Sequence, residues 1–307
     1  MADERPQKKA VRRLWLEAVR RFLDEAGKEE SAPLLLTLPG GAALDIVMLL
    51  EHGIVRRTEV GGIAKTDQWK VVAIESSPDA VRRLQETFPG LKILQQPIEN
   101  LLRGDGLTTW PTGEHKAYCR AHVVNLDLNS PLSHRSGAFP IIDLIRKLAI
   151  LHAYPPMNWV LLLTLHGEIV AENIIKDEMF DFLGENMRRD AVFAGSLASH
   201  LGERVISLLQ RRPAAHRLSV SDQQRLMMVF VPKKISSMVH QDGWSISTDW
   251  NLMYGEGELQ QAPIVSWILS FRMDPRGRST PDALYRESLR SILRRAQRVE
   301  PNGSICK

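Results

Sequence analysis

Leu34-Leu35-Leu36-Thr37-Leu38-Pro39-Gly40-Gly41 decides the fold. The first five residues read as a short buried strand. Ala42 to His52 reads as a helix that starts at the glycines. Glycine lets the backbone turn sharply and approach a ligand closely, and a helix start offers free N–H groups. A strand, a glycine turn and a helix in that order are the outline of a nucleotide-type cofactor pocket. By itself the same outline also fits an ordinary strand–turn–helix joint, so the units that follow carry the reading.

Downstream the unit repeats. Gly53 closes the first helix, and a loop over 54–69 follows. Val71–Ile74 is a second strand with Glu75 at its end. Ser77 is placed to cap the next helix, Pro78 fits its first turn, and Val81, Leu84 and Phe88 form its buried stripe. Leu91–Leu94 is a third strand, followed by a short helix from Pro97. His122–Leu126 is a fourth, ending near Asp127, with a helix from Pro140 to about Ala153. Trp159–Thr164 is a fifth, with helical stretches over 168–187 and 190–211. Strands alternating with helices predict a doubly wound, mostly parallel sheet covered on both faces. The continuous apolar strands agree with that.

After Arg212-Pro213 the pattern changes. Leu226–Val231 and Val265–Phe271 read as two strands pairing antiparallel at the sheet edge, which makes seven strands in all. Residues 233–262, with Trp244, Trp250 and Tyr254, read as an insertion between them. Residues 1–30 supply an amphipathic helix over 8–26, with Val11, Leu14, Ala18 and Phe22 on its apolar face. Its arginines suggest a basic arm that Glu17, Asp24 and Glu25 dilute. The α/β domain spans 31–273, and 274–307 carry a basic helix over 281–298.

Composition sets the outer limits. The chain has 307 residues, 44% of them hydrophobic, which supports a core and excludes general disorder. The formal charge is +4, and it is unevenly spread. Residues 188–240 hold nine Lys/Arg against three Asp/Glu, and 271–307 hold nine against four. A basic carboxyl-terminal half favours a polyanion such as nucleic acid, or is a solvated face. Only Cys119 and Cys306 are present, so no disulfide framework is implied. His115, Cys119 and His122 are closely spaced but match no zinc pattern, and no metal is expected. No apolar run reaches the ~20 residues of a membrane span, and Met1 to Ala10 lack an apolar signal core. A cytoplasmic protein is the expectation.

Five β–α units followed by a strand pair resemble the layout of class I S-adenosylmethionine-dependent methyltransferases, over about residues 30–273. Thr37-Leu38-Pro39-Gly40-Gly41 resembles the loop that passes under the cofactor. Glu75 looks like the acid that grips the ribose, with Ser76 beside it. Gln96-Pro97-Ile98-Glu99 falls where the family contacts the adenine ring. Asn125-Leu126-Asp127-Leu128-Asn129-Ser130-Pro131-Leu132 is similar to the Asp/Asn-Pro-Pro-aromatic loop of amino-methylating nucleic-acid enzymes. The resemblance departs in three places. The acid that usually ends the first strand is replaced by Thr37 or Leu38. The full Gly-x-Gly-x-Gly pattern is absent. Asn129-Ser130-Pro131-Leu132 lacks the second proline and the aromatic.

The resemblance implies S-adenosylmethionine as cofactor, held by Thr37, Pro39, Gly40, Gly41, Glu75, Ser76 and Glu99. It implies catalysis by Asp127 and Asn129, which accept hydrogen bonds from an exocyclic amine of a base, with Pro131 stiffening their loop. RNA fits better than DNA as acceptor. Trp244, Trp250 and Tyr254 either stack an unpaired base or pack the insertion. Two other readings stay open: a methyltransferase fold that has lost catalysis and serves as a binding module, and an enzyme acting on a protein or small molecule.

Overall fold

The computed structural model describes residues 5–26, 33–39, 43–101, 114–132, 140–167, 173–203, 206, 207, 209, 218–255, 263–273 and 292–306. Helix α1 (Pro6–Ala26) leads into β1 (Leu35–Thr37) and α2 (Leu44–Glu51). Then come β2 (Val71–Ile74), α3 (Pro78–Thr87), β3 (Lys92–Leu94), α4 (Ile98–Leu101) and α5 (Glu114–Cys119). After them stand β4 (Val123–Pro131), α6 (Pro140–Ala153), β5 (Trp159–His166), α7 (Asn173–Arg189) and α8 (Ala191–Leu201). The last part is α9 (Val220–Val239), β6 (Trp244–Tyr254), β7 (Ile264–Met273), β8 (Ala296–Val299) and β9 (Ile305–Cys306).

All the strands join one sheet in the order β3-β2-β1-β4-β5-β7-β6-β8-β9. The first five are parallel neighbours, while β7 runs antiparallel to both β5 and β6. Side chains alternate across each strand, and this splits the core in two. Leu36, Val72, Val124, Leu161 and Leu163 face α6, α7, α8 and α9. Leu35, Val71, Val123, Val160 and Leu162 face α1, α2 and α3. Helices on both faces leave β5 with no polar side, and Trp159 to Leu163 are each at most 2% exposed.

Local signals placed several elements well. Ser77 caps α3 by accepting the Ala80 N–H through Oγ at 3.4 Å. The Pro140–Ala153 helix has the expected bounds.

Four expectations fail. The sheet has nine strands, not seven. Leu226–Val231 is not a strand but the middle of α9, which begins at a Ser219 cap and contains Pro232. The run from Leu226 to Val231 is buried throughout, so no polar face reveals a 3.6-residue period, and a short apolar run then reads as strand or helix alike. Residues 233–262 are therefore no insertion: 244–254 are β6, the partner of β7. The basic helix over 281–298 also ends early. Residues 292–294 are helical, but Ala296–Val299 pair with Asn251–Met253 as β8. Residues 281–291 lie outside the described ones.

Candidate functional site

The parallel pairing brings three sequence-predicted places to one rim. Thr37, the last residue of β1, sits opposite Ala73 of β2 on one side and Asn125 of β4 on the other. Glu75 lies one residue past β2, and Asp127 two residues past Asn125 on β4. From β1 the chain proceeds outward to β2 and β3, then returns to β4 on the other flank. This reversal is a topological switch point, and open α/β sheets bind ligands in the crevice outside it.

A polar cluster occupies the rim between β1 and β4. Asn125 donates through Nδ2 to the Thr37 hydroxyl at 3.2 Å and to Asp45 Oδ2 at 3.1 Å. The Thr37 hydroxyl in turn donates to Asp45 Oδ2. Asp45 comes from the first turn of α2, just past Ala43, whose φ of 43° is left-handed. A non-glycine residue in that region carries strain, a frequent mark of ligand-binding turns. Burial pushes the Asp45 carboxyl above its ordinary value; Thr37, Asn125 and the amides of Ile46 and Asp45 pull the other way. Asn125 is 2% exposed, and its Oδ1 has no hydrogen-bond partner among the described residues. An orphaned buried acceptor at the switch point fits a ligand that brings a donor.

Asp127 shares its strand face with Asn125, since side chains two apart point the same way. It is half-buried, and no hydrogen bond or ion pair from another described residue reaches its carboxylate. Arg12 of α1 and Tyr254 at the end of β6 are within its electrostatic reach. Burial pulls the Arg12 guanidinium below its ordinary value, while Asp127 and Asp45 act to raise it. Burial and the nearby Asp127 push the Tyr254 phenol up. The β4–β5 register shifts between Asp127 and Pro131, which resumes opposite His166. Residues 128–130 thus leave the regular ladder at the rim, as a bulge near a site does.

The remaining predicted residues vary. Glu75 is half-buried, and its Oε1 accepts the Ser77 N–H at 2.8 Å, a turn-forming role. Ser76 is exposed and Pro39 buried, both at the rim. The backbones of Glu99 in α4 and of Asn129 and Pro131 in β4 are placed. Gly40 and Gly41 lie outside the described residues. Trp244 is core: it is 1% exposed and donates to the Ala149 carbonyl at 2.9 Å. Trp250 is half-buried with the Arg295 guanidinium 5.7 Å from its ring. Burial pushes the Cys119 thiol up to about 12.

The sequence reading assigned no rim role to Asp45 or Arg12, marked Asn125 only as the start of the 125–132 stretch, and marked Tyr254 only as a stacking or packing aromatic. Asp45 was within reach as the acid in the first turn of the glycine-led helix. Its carboxyl accepts a hydrogen bond from the Thr37 hydroxyl at the end of β1. Asn125 was within reach through same-face alternation with Asp127. Nothing local points to Arg12 or Tyr254, which arrive from both ends of the chain.

A family model described as PP_RS20740-like matches residues 3–303. No curated protein matches. Among solved structures, PH0793 of Pyrococcus horikoshii is similar at 10% identity and a TM-score of 0.35, over 85% of this chain and 64% of its own. LepI, solved in complex with SAM, is similar at 11% identity and 0.34, over 83% of this chain and 46% of its own. The plantazolicin methyltransferase BamL, solved with SAH and a triazolic desmethylPZN analog, is similar at 9% identity and 0.38, over 86% of both chains. The chain thus spans less than two thirds of the length of the first two. Likeness this slight does not bear on activity.

Proposed function

We propose a function for this chain, which belongs to the PP_RS20740-like family: S-adenosylmethionine-dependent methyl transfer to an exocyclic amine of a nucleic-acid base, in RNA rather than DNA. One observation carries the reading. The ends of β2, β1 and β4 adjoin at a switch point, and there the carboxylate of Asp127 stands without a hydrogen bond from any other described residue. Five parallel strands followed by an antiparallel pair also agree with the layout of the methyltransferase superfamily that the sequence resembles.

The residues present fit the cofactor. Glu75 offers Oε2 to ribose hydroxyls while Oε1 holds Ser77. Asn125 offers its orphaned Oδ1 to a donor such as the cofactor's ammonium. Thr37 and Asp45 fix the orientation of that amide. The cofactor supplies a sulfonium methyl open to in-line displacement. What the protein must add is alignment and exclusion of water. Asp127 accepts a hydrogen bond from the acceptor amine and turns its lone pair toward the methyl. Pro131, where the ladder resumes, limits how far that loop can relax.

Calorimetric titration with S-adenosylmethionine is the test. Saturable binding is expected; no heat at millimolar cofactor removes the proposal. Asp127→Ala is expected to abolish turnover on RNA while leaving cofactor affinity in place.

A second reading, a binding module without catalysis, draws on the commitment of Glu75 to Ser77. Methyl incorporation into purified RNA excludes it.

A further inference from the structure

We infer that the amino-terminal half of α1 is a docking surface for the phosphate backbone of a nucleic-acid strand, set beside the rim that carries Asp127. The inference rests on the methyltransferase reading and narrows its substrate. Residues 5 to 16 hold Arg5, Lys8, Lys9, Arg12 and Arg13 and no Asp or Glu, with Asp3 and Glu4 before them and Glu17 after. Arg5, Lys9 and Arg13 are exposed and four residues apart, so they line one face at steps of about 6 Å.

The helix is pinned so that this basic half lies at the rim. Gln7 donates through Nε2 to the Val299 carbonyl at 2.9 Å. Val299 ends β8, which runs parallel to β6, and β6 ends at Tyr254 on the same rim as His166 of β5. One turn further along α1, Arg12 is within electrostatic reach of Asp127 and Asp45.

Of the acids that dilute the helix, Asp24 and Glu25 are at its other end, while Glu17 is exposed one turn past Arg13. Arg21 pairs with Asp249 at 2.8 Å, and Glu25 pairs with Arg272. The Phe22 ring is 5.9 Å from that of His122, which precedes β4 at the opposite edge of the sheet. A helix of 21 residues is about 30 Å long, so the two ends do not neutralise each other across a Debye length of ~8–10 Å. Arg21 and Glu25 at the far end are thus paired. Arg5, Lys8, Lys9 and Arg13 have no ion pair to any described residue.

Locally this is an unfavourable arrangement. Like charges at i, i+4 repel, and cations sit at the positive pole of the helix dipole. Departures of this kind from local preference gather at functional surfaces. A polyanion relieves both, and releases its own counterions on binding.

The test is fluorescence anisotropy with a labelled single-stranded 20-mer RNA, across a salt series, alongside the cofactor titration. Lys8→Glu/Lys9→Glu/Arg13→Glu is expected to weaken RNA binding at least tenfold at low salt. It should make the slope of log K against log salt shallower by about 2, at ~0.7 per lost single-strand contact, with cofactor affinity unchanged. A control of equal charge change, Arg57→Glu/Arg83→Glu/Arg188→Glu, uses exposed arginines elsewhere and should retain most of the affinity. Three outcomes overturn the inference: a wild-type chain that ignores RNA at low salt, a triple variant that binds as wild type, or a control that loses as much. A blank cofactor titration with α1-dependent RNA binding instead removes the methyltransferase reading and leaves the surface standing.

Discussion

At the scale of the residue, chemistry at the rim depends on which polar atoms are left without partners. Asp127 keeps a half-buried carboxylate clear of hydrogen bonds from other described residues, whereas Asp45 spends Oδ2 on Thr37 and Asn125. Loss of the Asp127 carboxylate should therefore act on turnover, by about a hundredfold or more, as for a lost polar group aimed at the reacting centre. Steady-state kinetics on RNA with Asp127→Ala checks it; a variant within threefold of wild type clears Asp127. Lys233 poses a different problem. It is fully buried in α9, and burial pulls its ammonium down to about 6, against the pull of Asp190. Between pH ~6 and the ordinary value of 10.5 the unfolded chain holds a proton that the folded chain does not. Stability therefore rises with pH across that window, and the penalty is full below pH ~6. Lys233→Met is expected to stabilise the protein most near pH 6, with the gain shrinking toward pH 10. Urea midpoints at pH 6 and pH 9 decide it, and a gain independent of pH counts against the assignment.

At the scale of the element, α1 joins the two halves of the molecule. Val11, Leu14, Trp15, Ala18, Val19 and Phe22 are buried in the same cluster as Leu35, Ile46, Val160 and Ile268. Trp15→Ala should cost about 3–5 kcal/mol by the usual measure of large-to-small core changes. Because α1 also delivers Arg12 to the rim, the same change should weaken cofactor binding at temperatures where the protein remains folded. Chemical denaturation and calorimetry read the two effects separately; full stability without Trp15 contradicts the packing.

Much of this element-level plan was legible. The cap at Ser77 and the period of α6 are local facts, and local rules found them. The run from Leu226 to Val231 was not legible, because a helix buried on every side shows no period. β8 was not legible either: Ala296–Val299 are strand because Asn251–Met253 offer an edge. No propensity within the four residues requires it.

At the scale of the whole molecule, one nine-stranded sheet with a core on each face makes the rim a property of the assembled fold. A ligand bound only by that fold stabilises it by RT ln(1 + [L]/Kd), about 2.7 kcal/mol at a hundredfold excess over Kd. S-adenosylmethionine at that excess should thus raise Tm by several degrees. A melting curve unmoved by the cofactor speaks against the site. Among the described residues, no helix is long and apolar enough to cross a membrane.

By itself the sequence determined the alternation of strand and helix, since apolar runs, caps and glycine turns act within a dozen residues. It also placed Thr37 and Glu75 at the ends of their strands, and Asp127 near the end of the fourth, although β4 continues past it to Pro131. Parallel strands entered by right-handed crossovers have their carboxyl ends on one side, so those residues were bound to share an edge. Only the tertiary structure decided that Asp45 joins Thr37 and Asn125 at the end of β1, and that Arg12 and Tyr254 come within electrostatic reach of Asp127. It alone paired Arg21 and Glu25 with Asp249 and Arg272 of the sheet and set the other end of α1 at the rim.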